Sequence, residues 1–368
     1  MKKHYFFLVI IGVMFFSCKR VTKEGELMTI LVDIDQNVSL PLSTITVEIT
    51  AIELELTDQS VINPDRIIRV LLTDNNVILA EREKILVFNN KGDYLLSIGN
   101  RGQGPGEYMG VRNLAVDKKN RFLYVSTGSK LICYDLNGNF IKESSIVPNQ
   151  SIKDLNYINN KLLIVVEHIG RQDSKGLFQH SVIYTLDNDM QIVDSCVIRN
   201  TYFKKTASFI NPYENFILFG NETIFAYYPD IYFNEQIPLE VVLRDTLYNY
   251  KNNRLTPELK LKFKNDGIDG NGNKFIHLYN IYRSSQYVFA FYHNSNNKCD
   301  FHFIHDLKTG NGYNMRDGYI DDIDKIEQRK KIRPLNFNSE IFYYWHTHMN
   351  EGDLEEPNPT LYIGTLKK

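Results

Sequence analysis

Two histidines near the end of the chain, His346 and His348, are separated by a single residue in an aromatic segment. On a β-strand this spacing places both imidazoles on one face, and imidazole nitrogens are common zinc ligands. Asp321, in a short acidic stretch, is a further candidate ligand. Zinc sites usually need three or four protein ligands, and the sequence assigns no third one to the histidines. We therefore predict no metal cofactor, and we place Asp321 on a solvated turn that leads into a short helix over residues 325–331.

A glycine-rich stretch could bind phosphate through its backbone amides. It contains Gly102, Gly104, Pro105, Gly106 and Glu107. The spacing differs from that of a dinucleotide-binding loop, no helix pattern follows, and proline lacks the amide that such a loop would use. Glycine also permits positive φ and close chain approach. We therefore predict a structural turn between two units of the fold.

The first seventeen residues have the pattern of an export signal, with Lys2 and Lys3 before an apolar run and Ser17 before Cys18. This pattern resembles the bacterial lipoprotein signal, although Phe15 stands where that signal usually has an aliphatic residue. The resemblance implies cleavage before Cys18 and lipid on its thiol. It predicts a signal peptide at residues 1–17, a lipidated tether at 18–28 and one domain at 29–368.

Charge and cysteine content limit the partners. Loss of Lys2 and Lys3 with the signal takes the formal net charge from −2 to about −4. This negative balance does not favour electrostatic binding of nucleic acid. The residues after Cys18 are basic and lack an acidic surface-export run, so we predict an outer-membrane lipoprotein that faces the periplasm. Of the other cysteines, Cys133, Cys196 and Cys299, at most one pair could form a disulfide. We expect Cys133 and Cys196 to be buried in the core.

Short apolar segments separated by Asn, Asp and Gly turns predict an all-β domain. The segment at residues 85–92, ILVFNNKG, recurs 46 residues later as LICYDLNG at 131–138, and a weaker copy, VIYTLDND, begins at Val182. Each copy follows two strand candidates and precedes another. Four strands in 40 to 50 residues are typical of a β-propeller blade. The spacing alone allows six to eight blades.

The stretch that starts at Gly99, GNRGQGPGEY, resembles the repeat of NHL-type propellers and, more closely, the six-bladed β-propeller lipoproteins of Bacteroidetes. Later segments resemble the same family in order, namely RDTLY from Arg244, DDID from Asp321 and NPTLYIGTLK from Asn358. The resemblance implies six blades of four antiparallel strands, with seven as the alternative. It also implies that residues 45–56 pair beside residues 361–366 and close the ring.

The sequence favours a binding or scaffolding role over catalysis. It contains no nucleophile elbow, zinc helix or Walker loop, although propeller enzymes can gather polar groups in a central channel without a compact motif. We predict an envelope module for a protein, peptide or glycan. The alternative is a hydrolase or lyase with calcium or zinc in the channel. Ser126 and Thr127 argue against it, since they stand where NHL-like repeats often carry Asp.

Overall fold

Short strands joined by tight turns make up the chain in the computed structural model. The structure describes residues 27–128, 130–146, 151–174, 176–203, 224–227, 245–270, 275–323, 329–336, 340–347 and 357–368. The described strands form six four-stranded sheets, arranged in a ring as the blades of a β-propeller. The predicted fold class is confirmed.

The strands follow one another blade by blade. The chain begins with β1 (Met28–Val32) and β2 (Thr46–Glu53). Blade 1 contains β3 (Ile67–Leu72), β4 (Asn76–Glu81), β5 (Ile85–Asn89) and β6 (Tyr94–Ser97); a short crossing, β7 (Asn100–Arg101) and β8 (Glu107–Tyr108), leads to blade 2, with β9 (Asn113–Asp117), β10 (Phe122–Ser126), β11 (Leu131–Asp135) and β12 (Phe140–Ser144). Blade 3 contains β13 (Ser151–Ile158), β14 (Lys161–Asp173), β15 (Gly176–Leu186) and β16 (Ile192–Phe203).

The second half of the ring follows the same plan. Blade 4 contains β17 (Ile224–Ala226), β18 (Thr246–Lys251) and β19 (Arg254–Phe263); blade 5 contains β20 (Ile276–Arg283), β21 (Tyr287–Asn294), β22 (Cys299–Asp306) and β23 (Gly312–Arg316). A two-stranded crossing, β24 (Tyr319–Ile320) and β25 (Arg329–Lys330), leads to blade 6, with β26 (Arg333–Asn336), β27 (Ile341–His346) and β28 (Thr360–Leu366). Three short 3-10 turns lie at Leu42–Thr44, Pro64–Arg66 and Lys264–Gly267.

The N-terminal segment closes the ring at two blades. Strand β2 pairs antiparallel with β28 as the outer strand of blade 6, which confirms the predicted pairing. Strand β1 lies at the outer edge of blade 4 and pairs parallel with β19, a departure from the purely antiparallel blades that we predicted. Between them the chain runs along blade 5, where Asn314 binds backbone groups of Gln36 and Val38. One segment therefore joins three blades.

The repeated sequence corresponds to the third strand of a blade and the turn after it. Strands β5, β11 and β15 occupy this position in blades 1, 2 and 3. Each ends in an Asn or Asp whose side-chain oxygen accepts the amides two and four residues later, as Asn89 does from Lys91 and Asp93. Asp135 and Asp187 repeat this pattern. The recurring sequence is therefore explained by the Asn or Asp that each of these turns needs.

Both faces of a blade are buried against its neighbours. On β4, Val77 packs in a cluster with Tyr343 of blade 6, whereas the next residue, Ile78, packs in a cluster with Leu123 of blade 2. Successive strand residues point to opposite faces, so a blade between two others needs apolar residues at consecutive positions. This explains why the central strands read as continuous apolar runs.

Gly92 gives a test of blade packing, because it sits in the turn after β5 with φ +97 and an added Cβ would lie 1.9 Å from the Glu53 carbonyl oxygen. We expect Gly92→Ala to lower the free energy of unfolding by roughly 2–3 kcal/mol through backbone strain and this clash. Gly310, in the corresponding turn of blade 5, has φ +77 and open space around its Cβ position, so Gly310→Ala should cost only about 1 kcal/mol. Urea denaturation checks the difference, and equal losses would contradict the packing argument.

Candidate functional site

The first strands of the blades meet around the axis of the ring. Strand β3 contacts β9, β9 contacts β13, and β26 of the last blade contacts β3. We call the end of the ring where these strands begin the upper face. The described parts of the connections that enter the blades, and the described hairpins between second and third strands, lie at this face.

Two pairs of polar side chains connect the first strands of blades 1, 2 and 3. The Nδ2 atom of Asn113 donates to Oδ1 of Asp154 at 2.6 Å, and Nη2 of Arg69 donates to Oδ1 of Asn156 at 3.0 Å. Asp154 and Asn156 are two residues apart on β13 and so share a face. We call Arg69, Asn113, Asp154 and Asn156 the axial group.

Strand irregularities explain the position of these side chains. The register of the first strand shifts just before Arg69 in blade 1, Asp154 in blade 3 and Asn280 in blade 5. Such a bulge removes an amide from the ladder and redirects side chains. Oδ1 of Asp154 and of Asn280 accepts the amide of the following residue, in each case at 2.8 Å. Asn113 makes the same bond at the start of β9. The short polar side chain replaces the lost backbone partner.

Burial makes the axial group rigid. Asp154 is fully buried, Asn113 and Asn156 are each 5% exposed, and Arg69 is half-buried. A buried carboxylate is tolerated only with hydrogen-bond partners, which Asn113 and the Leu155 amide supply. The network ties three blades together and holds the guanidinium of Arg69 at the axis, beside carboxamides that can donate and accept.

Blade 3 extends beyond the ring on the upper face. The pairing of β13 with β14 starts at Ser151 and Glu167, whereas β14 and β15 continue to pair as far as Asp173 and Gly176. We call this extension, residues 167–181, the upper hairpin. It carries His168, Phe178 and His180, whose rings contact one another.

The predicted glycine-rich turn connects blade 1 to blade 2 on the upper face. Its amides are bound by carboxylates of the chain: Glu107 accepts from the Gly104 amide at 2.8 Å, and Glu143 accepts from the Gly106 amide at 2.9 Å. Gly106 has φ +70, and a Cβ there would lie 2.7 Å from the Phe140 ring. The loop amides that could hold a phosphate are thus occupied by internal anions.

Lys130 completes the charge balance of this turn. Its ammonium lies 2.6 Å from the Glu143 carboxylate and also donates to the carbonyls of Gly104 and Glu107. Burial alone would raise the pKa of Glu143, but the hydrogen bonds from Lys130 and the Gly106 amide outweigh it and lower that pKa. Glu143 therefore stays ionised and fixes the turn against blade 2.

The C-terminal metal candidates lie where blade 5 joins blade 6. Oδ2 of Asp321 accepts the Tyr344 hydroxyl at 3.0 Å, and Nδ1 of His346 lies 2.9 Å from the Lys330 ammonium, which also stands over the Tyr344 ring. Asp321 is 2% exposed, so the prediction of a solvated turn was wrong: the hydroxyl from blade 6 holds it inside. The predicted helix was also wrong at Arg329–Lys330, which form β25. The Lys330 ammonium next to His346 would repel a metal ion at this position. His348 and Cys18 lie outside the described residues.

The thiols that the structure describes are unpaired. Cys133 and Cys299 are buried, as predicted for Cys133, whereas Cys196 is half-buried. Burial raises the pKa of Cys133 to about 11, so its thiolate is scarce at neutral pH.

Among the described residues, no helix is long and apolar enough to cross a membrane. The same residues contain no group of three His, Cys, Asp or Glu side chains that could hold a metal ion.

The sequence analysis missed the axial group. Arg69, Asn113 and Asp154 are each followed by an apolar residue. They lie 20, 22 and 33 residues before the Asn or Asp that closes the third-strand turn of their blade, so an alignment of the repeats does not bring them to one position.

Comparisons with known proteins agree with the fold. The "Putative exported protein" of Bacteroides fragilis NCTC 9343 has a similar structure, with a TM-score of 0.64 and 16% identity over 93% of this chain and 100% of that chain. The WD40 domain of Neurospora crassa Pan2 matches with a TM-score of 0.42 and 13% identity over 82% of this chain and 76% of that chain. No curated protein matches the chain.

The 16% identity to the Bacteroides fragilis protein shows only that the fold is shared. A family model, by contrast, matches residues 27–361, which include strands of all six blades. The chain therefore belongs to the family described as a domain of unknown function, DUF4934.

Proposed function

We propose that the protein is a cell-envelope lipoprotein, held by lipid on Cys18, that binds a peptide, protein or glycan on its upper face. The signal at residues 1–18 and the name of the similar Bacteroides fragilis protein support export. The proposal assigns no reaction to the protein.

The observation that carries this proposal is the axial group. Arg69 supplies a half-exposed guanidinium suited to carboxylates and carbonyl oxygens, and it stands beside the carboxamide of Asn156, which can hydrogen-bond amides and hydroxyls. Peptides and glycans are rich in these partners. The projecting Phe178 adds an apolar ring on the upper hairpin, and ligand sites commonly combine apolar walls with a few fixed polar groups.

A binding screen with matched variants tests the proposal. Thermal shifts would be recorded for the full chain in detergent against defined peptides and soluble oligosaccharides, since a ligand of the native state must raise the melting temperature. We expect the best ligand to bind Arg69→Lys roughly tenfold more weakly, because lysine keeps the charge but loses the planar fork. Lys308→Ala, in an exposed turn at the opposite face, is the control. A ligand that binds all three proteins equally, or a screen without any shift, would overturn the proposal.

A further inference from the structure

A row of three polar side chains crosses the upper hairpin of blade 3. His168 on β14 stands directly opposite His180 on β15, and His180 stands opposite Asn200 on β16. Directly opposite residues of antiparallel strands project to the same face. The row is therefore a continuous surface feature, set apart from the axial group.

The two imidazoles are spaced for a shared ion. Their ring centroids are 5.7 Å apart and their planes are inclined by 46°. Two imidazoles that share one metal through bonds of about 2.0–2.1 Å have centroids roughly 5–6 Å apart at tetrahedral or wider angles. The pairing of His168 with His180 across the two strands produces this separation.

Neighbouring oxygens are also placed to hold the second nitrogen of each ring. The Nδ1 atom of His180 lies 2.5 Å from the Oδ1 atom of Asn200, an acceptor, so Nδ1 carries the proton and Nε2 keeps its lone pair. Nε2 of His168 lies 3.1 Å from the Tyr184 hydroxyl, which can accept its proton and leave Nδ1 as the ligand. Metal-binding histidines usually have their other ring nitrogen held in this way. Phe178 stacks on His180 with planes 22° apart and further fixes that ring.

We propose that His168 and His180 bind one divalent transition-metal ion of the zinc, copper or nickel class on the upper hairpin, with Asn200 and Tyr184 orienting the two imidazoles. Imidazole suits these metals. Two protein ligands are fewer than the three or four of an ordinary zinc site, so the proposed site is one in which water or a donor group of a bound molecule completes the coordination.

A second histidine pair in blade 5 serves as an internal comparison. His277 and His293 are also cross-strand neighbours, with centroids 6.3 Å apart. Nδ1 of His293 is held by Asp300, and that carboxylate also binds the Lys331 ammonium at 3.2 Å. The Lys331 ammonium beside this pair repels a metal ion. Among the described side chains, no lysine or arginine contacts His168 or His180. We therefore expect blade 3, and not blade 5, to hold the ion.

Metal titration of the full chain tests this inference. The protein would be purified in detergent through a histidine-free tag, stripped with a chelator, and titrated with Zn²⁺ by calorimetry at pH 7.5. We expect one ion per chain for the wild type and for His277→Ala, and no saturable binding for His168→Ala or His180→Ala. Asn200→Ala should bind roughly 10- to 100-fold more weakly, as for other losses of an orienting partner.

Cu²⁺ paramagnetic resonance gives a second readout that requires only the wild type and His180→Gln, a variant of similar size. We expect a spectrum with coupling to two imidazole nitrogens that is reduced to at most one in His180→Gln. Melting curves of the stripped proteins show whether each variant is folded. Wild-type affinity in the blade 3 variants, loss of binding in His277→Ala, or absence of imidazole coupling would each overturn the proposal. None of these outcomes bears on the Arg69 experiment, so the two proposals fail separately.

Discussion

Replacing Cys18 with alanine is expected to abolish lipid attachment completely. Labelled palmitate should be incorporated into the wild type and into Cys133→Ala, whose thiol is buried in blade 2, but not into Cys18→Ala. Each acyl methylene that enters a bilayer contributes about 0.8 kcal/mol, and one chain alone gives only marginal binding. Several chains on one residue would hold the protein at the membrane almost permanently.

Intact mass spectrometry separates the steps of this prediction. The wild type should begin at Cys18 and carry acyl groups, whereas Cys18→Ala should lack them and keep residues 1–17. An unmodified wild-type thiol, or palmitate in Cys18→Ala, would remove the anchor from the proposed function while leaving the binding site untouched.

The parts of the fold that could be predicted are those specified by local chemistry. Asn89, Asp135 and Asp187 each close a turn with bonds to amides two and four residues away. Because all the partners lie within five residues, the sequence alone shows the turn, and its recurrence shows the blade. The pairing of β2 with β28 could be predicted only through a family resemblance.

The parts that could not be predicted depend on contacts between distant segments. Met28 pairs with Leu259 in parallel, and nothing near Met28 indicates that partner. Asp321 resembles a surface residue until Tyr344 of the next blade binds it. The polar residues of the axial group and the upper hairpin row acquire a role only when neighbouring strands bring them together. Sequence motifs with fixed spacing cannot detect such sites.

Acid is expected to destabilise the protein through His302, on the third strand of blade 5. The imidazole is 4% exposed. It meets the Phe291 ring edge to face at 4.5 Å and the Tyr319 ring at 6.3 Å. Its Nδ1 atom has no hydrogen-bond partner among the described residues. Burial, with smaller contributions from Lys331 and Arg333 that exceed the opposing one from Asp300, lowers the pKa of His302 to about 3.

The direction of the effect follows from proton binding. In the unfolded chain the imidazole titrates near pH 6.5, whereas in the folded protein it stays neutral far below that. As the pH falls through 6.5, the unfolded state takes up a proton that the native state refuses, so the stability from this group is full above pH 6.5 and decreases towards pH 3. The loss is about 1.4 kcal/mol per pH unit within that window.

Urea denaturation from pH 7.5 to 4.5 measures this loss against a matched variant. We expect His302→Leu, which keeps the site apolar, to have a slope smaller than the wild type by about 1.4 kcal/mol per pH unit below pH 6. His305→Leu, at a half-buried position three residues along the same strand, should change the slope less. Parallel pH profiles for the wild type and His302→Leu would contradict the prediction, because they would show that the His302 imidazole is protonated in the native state as readily as in the unfolded chain. Blade 5 would then have to open locally in acid, which would expose strand β23, the strand that the N-terminal segment contacts.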